Sequence, residues 1–158
     1  TGGHGLNMRA INAVRAAGSI EAAVADGTIG SGIMHALVST GTPYVLAGSI
    51  RDDGPLPGVV TDAAAAQNAM REHTVLATGA VFIATALHAI AVGNMLPSFH
   101  TNTPDGRPEP LLTICVDQTE FVVTKLKDRG THQAFGVVTN AQDFMHVLRH
   151  FVERCSPN

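Results

Sequence analysis

Short apolar runs alternate with helix-like segments through the last two-thirds of the sequence. The runs lie at residues 44–48, 79–84, 111–116 and 134–138, and a segment with helical spacing follows each of them. Short, continuous apolar runs are typical of parallel strands that are buried on both faces. Strands that alternate with helices favour right-handed crossovers. The pattern therefore predicts an α/β fold: a β-α-β-α-β-α-β-α core over residues 43–158, whose parallel sheet carries helices on both faces.

The first third of the sequence is helical in character. Apolar residues recur at helical spacing near the N-terminus, and Gly18 follows as a C-cap. Ser19 is a predicted N-cap of a second short helix, and a third helix over about 31–39 ends before Gly41. A chain of 158 residues fits one domain. We therefore expect residues 1–42 to be a helical N-terminal segment of the same domain.

Composition and charge exclude several classes of protein. The 10 Lys and Arg residues against 13 Asp and Glu residues give a net charge of −3, without the basic cluster that nucleic-acid binding requires. Polar residues and glycines interrupt the longest apolar stretch, at about 77–95, so we expect no membrane span. Cys115 and Cys155 lack metal-ligand spacing, which predicts no metal site. We expect a cytoplasmic protein, and a proline-rich surface excursion at residues 98–110.

Polar side chains follow every predicted strand, where an open parallel sheet binds its ligands. These candidates are Arg51, Asp52 and Asp53 after the first strand, Thr85 and His88 after the second, Asp117 after the third, and Thr139 and Asn140 after the fourth. A carboxylate such as Asp117 suits a ribose diol, because it accepts two hydroxyl hydrogen bonds. The same residue could instead cap the following helix. His88 is compatible with a ligand contact or with a core histidine, and the sequence contains neither GxGxxG nor a P-loop.

Three longer strings carry a resemblance to a known family. They are PYVLAGSIRDDGPLP at residues 43–57, ATALHAIAVGNMLPS at 84–98, and CVD at 115–117 followed by VTKLKDRG at 123–130. They resemble the C-terminal part of the LOR/SDH-type family, which includes archaeal ornithine cyclodeaminase. The family also includes the C-terminal module of the cyanobacterial arginine dihydrolase/ornithine cyclodeaminase. The resemblance covers nearly the whole chain.

The resemblance implies a Rossmann-like, deoxyhypusine-synthase-like domain that binds NAD. It also implies a lyase activity that converts L-ornithine into L-proline and ammonia. In this reaction a hydride passes from the α-carbon of ornithine to NAD⁺ and is later returned. The positions that match the family's cofactor contacts are Asp52, Asp53, Thr85, Leu87, His88, Asp117, Asn140 and Ala141. Asp117 would bind the adenosine ribose. His4 and His88 are the candidates for proton transfer, without an assigned catalytic acid or base.

The family's pattern also shows what differs in this sequence. The family reads Asp-Ile-Asn-Pro where this chain has Asp117-Gln118-Thr119-Glu120, and Thr-Asp where it has Thr139-Asn140. Fuller members of the family carry an upstream substrate domain. This sequence begins at Thr1 rather than at Met, so we expect a part of a larger enzyme.

Two other functions stay open on the sequence. One is a non-catalytic nucleotide-binding or assembly module, and the other is an oxidoreductase of the saccharopine dehydrogenase type. In each case we expect a small-molecule partner, an amino acid for the enzymes, and neither nucleic acid nor membrane. The helices have few charges, so we also expect a second copy or a larger parent chain to cover their apolar faces.

Overall fold

The computed structural model describes residues 2–48, 56–83, 86–128 and 133–155, except for the side chains of Gly2 and His4. The chain divides into two compact units, one over residues 1–70 and the other over residues 71–158. Arg51, Asp52, Asp53 and Thr85 lie outside the described residues.

The first unit is built from helices, as the sequence predicts. Its elements are α1 (Gly2–Ala17), α2 (Ile20–Ala25), α3 (Ile33–Thr40) and the greater part of α4 (Ala63–Thr74). Ser19 caps α2, because its Oγ accepts a hydrogen bond from the backbone N–H of Ala22 at 3.0 Å. Gly41 ends α3 in the left-handed conformation, with φ of 64°, where a side chain would be strained. Both predicted cap positions are confirmed.

The prediction of a strand at residues 44–48 is wrong. In place of a strand, the described chain forms a single parallel bridge between Ala47 and Val60. The Val60 N–H donates to the Leu46 carbonyl at 2.8 Å, and the Gly48 N–H donates to the Val60 carbonyl at 2.8 Å. The apolar run is extended, but these two hydrogen bonds to a neighbouring loop take the place of a ladder along its length.

The second unit contains a parallel sheet. Its elements in chain order are β1 (Gly79–Ile83), α5 (Ala86–Gly93), β2 (Phe99–His100), β3 (Glu109–Pro110), β4 (Leu112–Asp117), α6 (Glu120–Asp128), β5 (Gln133–Val138) and α7 (Ala141–Cys155). The strand order is β1-β4-β5, and both pairings are parallel. β2 and β3 form a small antiparallel hairpin within the predicted surface excursion. The remaining three predicted strands and the alternation of strands with helices are therefore confirmed.

The central strand β4 is the most deeply buried element of the sheet. Thr113, Cys115 and Val116 have no exposed surface, because β1 and β5 flank the strand and helices cover it. Cys115 packs in one cluster with Phe82 of β1 and Leu126 of α6. This burial raises the pKa of the Cys115 thiol. The apolar composition of β4 is thus the composition that a central parallel strand requires.

Helix α7 has an apolar face that the structure leaves largely exposed. The sequence places Phe144, Val147, Leu148, Phe151 and Val152 on this face, at helical spacing. Val147, Phe151 and Val152 each expose more than half of their surface, and α7 has no buried residue.

Among the described helices, none combines the length and apolar character needed to cross a membrane.

Candidate functional site

The carboxyl ends of the parallel strands meet at one edge of the sheet. In the register, Ile83 of β1 lies beside Val116 of β4, and Asp117 of β4 lies beside Val138 of β5. The backbone N–H of Thr139, directly after β5, donates to the carbonyl of Asp117 at 2.9 Å. This hydrogen bond holds the residues that follow β4 and β5 close together.

A cleft of about 260 Å³ opens at this edge. It is lined by Val116, Asp117, Gln118, Thr119, Thr139 and Ala141. The lining therefore comes from the end of β4 and the loop that follows it, and from the β5–α7 loop with the first residue of α7. In open α/β sheets, this crevice outside the carboxyl ends of the strands is where ligands bind.

Asp117 organises the loop between β4 and α6. Its Oδ1 accepts hydrogen bonds from the backbone N–H of Thr119 at 2.9 Å and from the Thr119 hydroxyl at 3.1 Å. Thr119 is the residue whose carbonyl accepts the first helical hydrogen bond, from Val123. Asp117 is therefore not the N-cap of α6, because it lies two residues earlier and forms an Asx turn.

The second carboxylate oxygen of Asp117 has a different environment. Within the described part of the chain, the structure gives Oδ2 no hydrogen bond. Asp117 is half-buried and lines the cleft. The Oδ2 atom can therefore accept hydrogen bonds from hydroxyl groups of a ligand while Oδ1 keeps the loop in place.

Asn140 caps helix α7. Its Oδ1 accepts a hydrogen bond from the backbone N–H of Asp143 at 2.8 Å, and its Nδ2 donates to the Asp143 carboxylate. The Asn140 carbonyl accepts the first helical hydrogen bond, from Phe144. Asn140 is therefore the N-cap of α7, and a side-chain bond to Asp143 holds its amide in place. Ala141 lines the cleft beside this cap, so the N-terminus of α7 faces the same site as Asp117.

Leu87 and His88 lie in the first turn of α5, which begins three residues after β1 ends. Both side chains are exposed, and neither lines the cleft, although the end of β1 lies at the same edge of the sheet. His4 belongs to α1 by its backbone, in the first unit. The structure thus brings Asp117 and Ala141 together and leaves the remaining predicted contacts outside this cleft or outside the described residues.

Among the other cleft residues, Thr139 was a predicted strand-end candidate, whereas Gln118 and Thr119 were not predicted. Thr119 carries a readable signal, because a hydroxyl residue two positions after an Asp is typical of an Asx turn. Thr139 is the first residue after the fourth apolar run, so its position also pointed to the sheet edge. Gln118 has no comparable signal.

Comparison with known proteins settles the family. Residues 1–148 match the family described as "Arginine dihydrolase ArgZ-like, C-terminal, Rossmann fold". The chain belongs to this family. The resemblance found in the sequence and the α/β fold class are therefore both confirmed.

Relatives with known names and structures agree with this assignment. The ornithine cyclodeaminase of Methanocaldococcus jannaschii is 46% identical over 153 residues, which are 97% of this chain and 34% of that protein. A LOR/SDH protein of Methanococcus maripaludis S2 superposes with a TM-score of 0.83 at 44% identity, covering 97% of this chain and 43% of that one. AgrE, in a ternary complex with ornithine and NAD⁺, superposes with a TM-score of 0.78 at 39% identity. That match covers 92% of this chain and 20% of AgrE. The chain thus spans about a third of the length of the archaeal relative.

Proposed function

We propose that this chain is the NAD-binding part of an ornithine cyclodeaminase-type enzyme, which converts L-ornithine into L-proline and ammonia. The observation that carries the proposal is the match of nearly the whole chain to proteins of that name at 46% identity. The structure of AgrE with ornithine and NAD⁺ supports both the substrate and the cofactor. The activity is proposed for the whole enzyme, of which this chain spans about a third in the archaeal relative.

The cleft at the sheet edge fits part of a dinucleotide. Asp117 offers a carboxylate oxygen at the end of a central parallel strand, and the hydroxyls of a ribose are donors that such an oxygen accepts. The cleft of about 260 Å³ would hold one ribose and its neighbouring groups rather than a whole dinucleotide. We therefore assign to this cleft the ribose of NAD, as the family resemblance suggests for Asp117.

The residues of this chain would bind and orient the cofactor. Asp117 would accept hydrogen bonds from the ribose hydroxyls, while its two bonds to Thr119 hold the β4–α6 loop in place. The N-terminus of α7 carries a partial positive charge, which favours an anionic ligand group near Ala141. When bound, NAD supplies a reversible two-electron exchange with the α-carbon of the substrate, so that it is regenerated in each turnover.

The remaining predicted contacts belong to the same proposal. Asp52, Asp53, Thr85, Leu87, His88 and Asn140 are proposed to complete the cofactor site by their positions in the family pattern. The cap that Asn140 forms means that its role would be to hold the start of α7 beside the cofactor. His4 and His88 remain the candidates for proton transfer.

The proposal extends to the surroundings of the chain. We propose that residues 1–42 and 43–158 belong to one domain in the whole enzyme, and that the enzyme is cytoplasmic. We further propose that a second copy or the rest of a longer parent chain covers the apolar face of α7, where Val147, Phe151 and Val152 are exposed.

The first test measures cofactor binding by the chain itself. Isothermal titration with NAD⁺ is expected to give saturable binding with a stoichiometry of one per chain. NMR spectra of ¹⁵N-labelled protein are expected to show shifts at Asp117, Thr119 and Ala141. Shifts confined to residues outside the cleft would contradict the ribose assignment.

The second test measures turnover in a chimera. Residues 1–148 replace the matching third of the Methanocaldococcus jannaschii ornithine cyclodeaminase, and ornithine is supplied with a catalytic amount of NAD⁺. Proline and ammonia without net NADH are expected. Net NADH would instead indicate an oxidoreductase of the saccharopine dehydrogenase type. A folded chimera that binds no NAD⁺ would contradict both enzymatic functions and favour an assembly module.

A further inference from the structure

A larger cleft, of about 540 Å³, lies wholly within the first unit. Its lining comes from the α1–α2 junction, the last turn of α3 and the extended chain after it, and it includes Glu21 and Tyr44. None of the cofactor positions predicted from the sequence that the structure describes lies in this lining.

Glu21 and Tyr44 form a pair in this cleft. The Tyr44 hydroxyl donates a hydrogen bond to Oε1 of Glu21 at 2.7 Å, across 23 positions of sequence. This bond is the main reason why the pKa of the Glu21 carboxyl is lowered, and the backbone N–H of Glu21 and the Ser19 side chain lower it further. A carboxylate has about four acceptor sites. The Glu21 side chain is exposed, and its hydrogen bond to Tyr44 leaves acceptor capacity for another donor.

The ends of two helices add to the negative character of the cleft. Gly18 follows the last residue of α1, Gly41 follows the last residue of α3, and both line the cleft. The C-terminal end of a helix carries a partial negative charge. The N-terminus of α2 also lies here, and the Ser19 side chain satisfies the N–H of Ala22 in its first turn. No Lys, Arg or His side chain is among the described residues that line the cleft.

Apolar side chains form another part of the wall. Leu37, Val38 and Leu46 line the cleft, and Val38 and Leu46 also pack against the buried cluster of the first unit. That packing fixes the apolar wall relative to α2, which carries Glu21. The cleft thus combines one ionised carboxylate with an apolar surface, which matches a ligand that has a cationic head and a hydrocarbon stem.

We propose that the cleft binds an alkylammonium ion, whose ammonium group contacts Glu21 near the C-terminal ends of α1 and α3 while its hydrocarbon stem lies against Leu37, Val38 and Leu46. The carbonyls of Leu37 and Val38 already accept hydrogen bonds from Thr42 and Gly41, so the carboxylate of Glu21 is the main acceptor for the three donors of the ammonium group. The ligand class is a primary amine such as a diamine or a basic amino acid. The proposal does not depend on NAD binding or on turnover of ornithine.

The chain carries its own spectroscopic probe for this site. Tyr44 is the sole tyrosine and there is no tryptophan, so the ultraviolet fluorescence of the chain reports on Tyr44. n-Butylammonium serves as the probe ligand, added at constant ionic strength and without NAD⁺. We expect a saturable change in Tyr44 emission, because the ligand competes for the carboxylate that the phenol contacts. Ornithine and 1,4-diaminobutane in separate titrations establish which amines bind more tightly.

Glu21→Gln tests the charge. The amide keeps the size of the side chain, and the loss of the charged acceptor is expected to weaken n-butylammonium binding about tenfold or more. Glu72→Gln is the matched control, because Glu72 is an exposed carboxylate on α4 and does not line the cleft. Amide NMR shifts of Gly18 and Gly41 give a second readout that does not depend on the phenol, and circular dichroism establishes that each variant is folded.

Two neutral or anionic analogues complete the test. n-Butanol and butyrate have comparable hydrocarbon stems without the positive charge, and we expect no saturable response to either. Equal binding of n-butanol, or unchanged n-butylammonium binding by Glu21→Gln, would overturn the proposal. The absence of any saturable response in both the fluorescence and the Gly18 and Gly41 shifts would overturn it as well.

Discussion

Replacement of Asp117 separates the two roles that its carboxylate oxygens have in the structure. Oδ1 accepts both hydrogen bonds from Thr119 and so holds the β4–α6 loop, while Oδ2 is proposed to accept the ribose hydroxyls of NAD. Asp117→Asn keeps an acceptor oxygen for Thr119 and removes the charge. Asp117→Ala removes the charge and the acceptor together. A comparison of the two variants therefore distinguishes ligand binding from loop structure.

The magnitudes follow from these hydrogen bonds. A hydrogen bond to a charged group contributes about 1.5–3 kcal/mol. Because Asp117 is partly exposed to water, we extend the expected range for its hydrogen bonds down to about 1 kcal/mol. Asp117→Ala is therefore expected to weaken NAD⁺ binding by about 1–3 kcal/mol, which is about five- to 150-fold in Kd. Loss of the Asx turn adds a decrease of about 1 kcal/mol in the free energy of unfolding for Asp117→Ala. Asp117→Asn is expected to lose affinity without this loss of stability.

Isothermal titration with NAD⁺ and urea unfolding measure the two effects on the same proteins. Asp105→Asn is the control, because it makes the same chemical change in an exposed ion pair with Arg107, outside the cleft. Unchanged NAD⁺ affinity in both Asp117 variants would refute the ribose assignment. A loss of affinity in Asp105→Asn that equals the loss in Asp117→Asn would show that net charge, rather than the site, determines binding.

Three further predictions concern packing, capping and titration. Gly136→Ala is expected to lower the free energy of unfolding by about 1–3 kcal/mol in urea, because the new Cβ would collide with Val123; full stability would contradict this packing. Asn140→Ala should lower the Tm through the loss of about 1 kcal/mol of capping energy, whereas Asn140→Ser, which keeps a capping oxygen without placing a second carboxylate beside Asp143, should retain most of it. The hydrogen bond to Glu21 raises the pKa of Tyr44 in the folded protein. The bond therefore stabilises the fold while the phenol is protonated, and this stabilisation is lost as the pH rises through the raised pKa of Tyr44. Absorbance at 295 nm should show this late titration, and an unchanged midpoint in Glu21→Gln would argue against it.

The strands of the sheet were predictable to within about one residue. The apolar runs at 79–84, 111–116 and 134–138 correspond to β1, β4 and β5, because short runs rich in β-branched and aromatic residues favour strands. Deep burial belongs to the central strand β4, whereas β1 and β5 keep exposed residues such as Val81 and Phe135. The run at 44–48 has the same local character but is not a strand. Whether an extended segment becomes a strand depends on the partner that its backbone meets, and here that partner is a single residue, Val60.

The sequence predicted where the candidate site lies in the fold better than it predicted which residues line it. Asp117 was identified as a strand-end carboxylate, and the structure places it in a cleft at that edge. Thr139 was predicted at the same edge by its place after an apolar run. It shares a lining with Thr119 because loops from two different strands approach each other, which no local pattern encodes. Asn140 was predicted as a ligand contact by position, whereas its side chain is used to cap α7.

The sequence by itself determined the alternation of strands and helices, the caps at Ser19 and Gly41, and the family. These depend on periodicity, on local hydrogen bonding and on strings of adjacent residues, all of which are written along the chain. Only the tertiary structure decided which residues share a cleft and which carboxylate oxygen of Asp117 the loop uses. It also decided that Glu21 meets Tyr44 across 23 positions. Such contacts depend on how distant segments pack, and the spacing of residues along a chain carries no record of that distance in space.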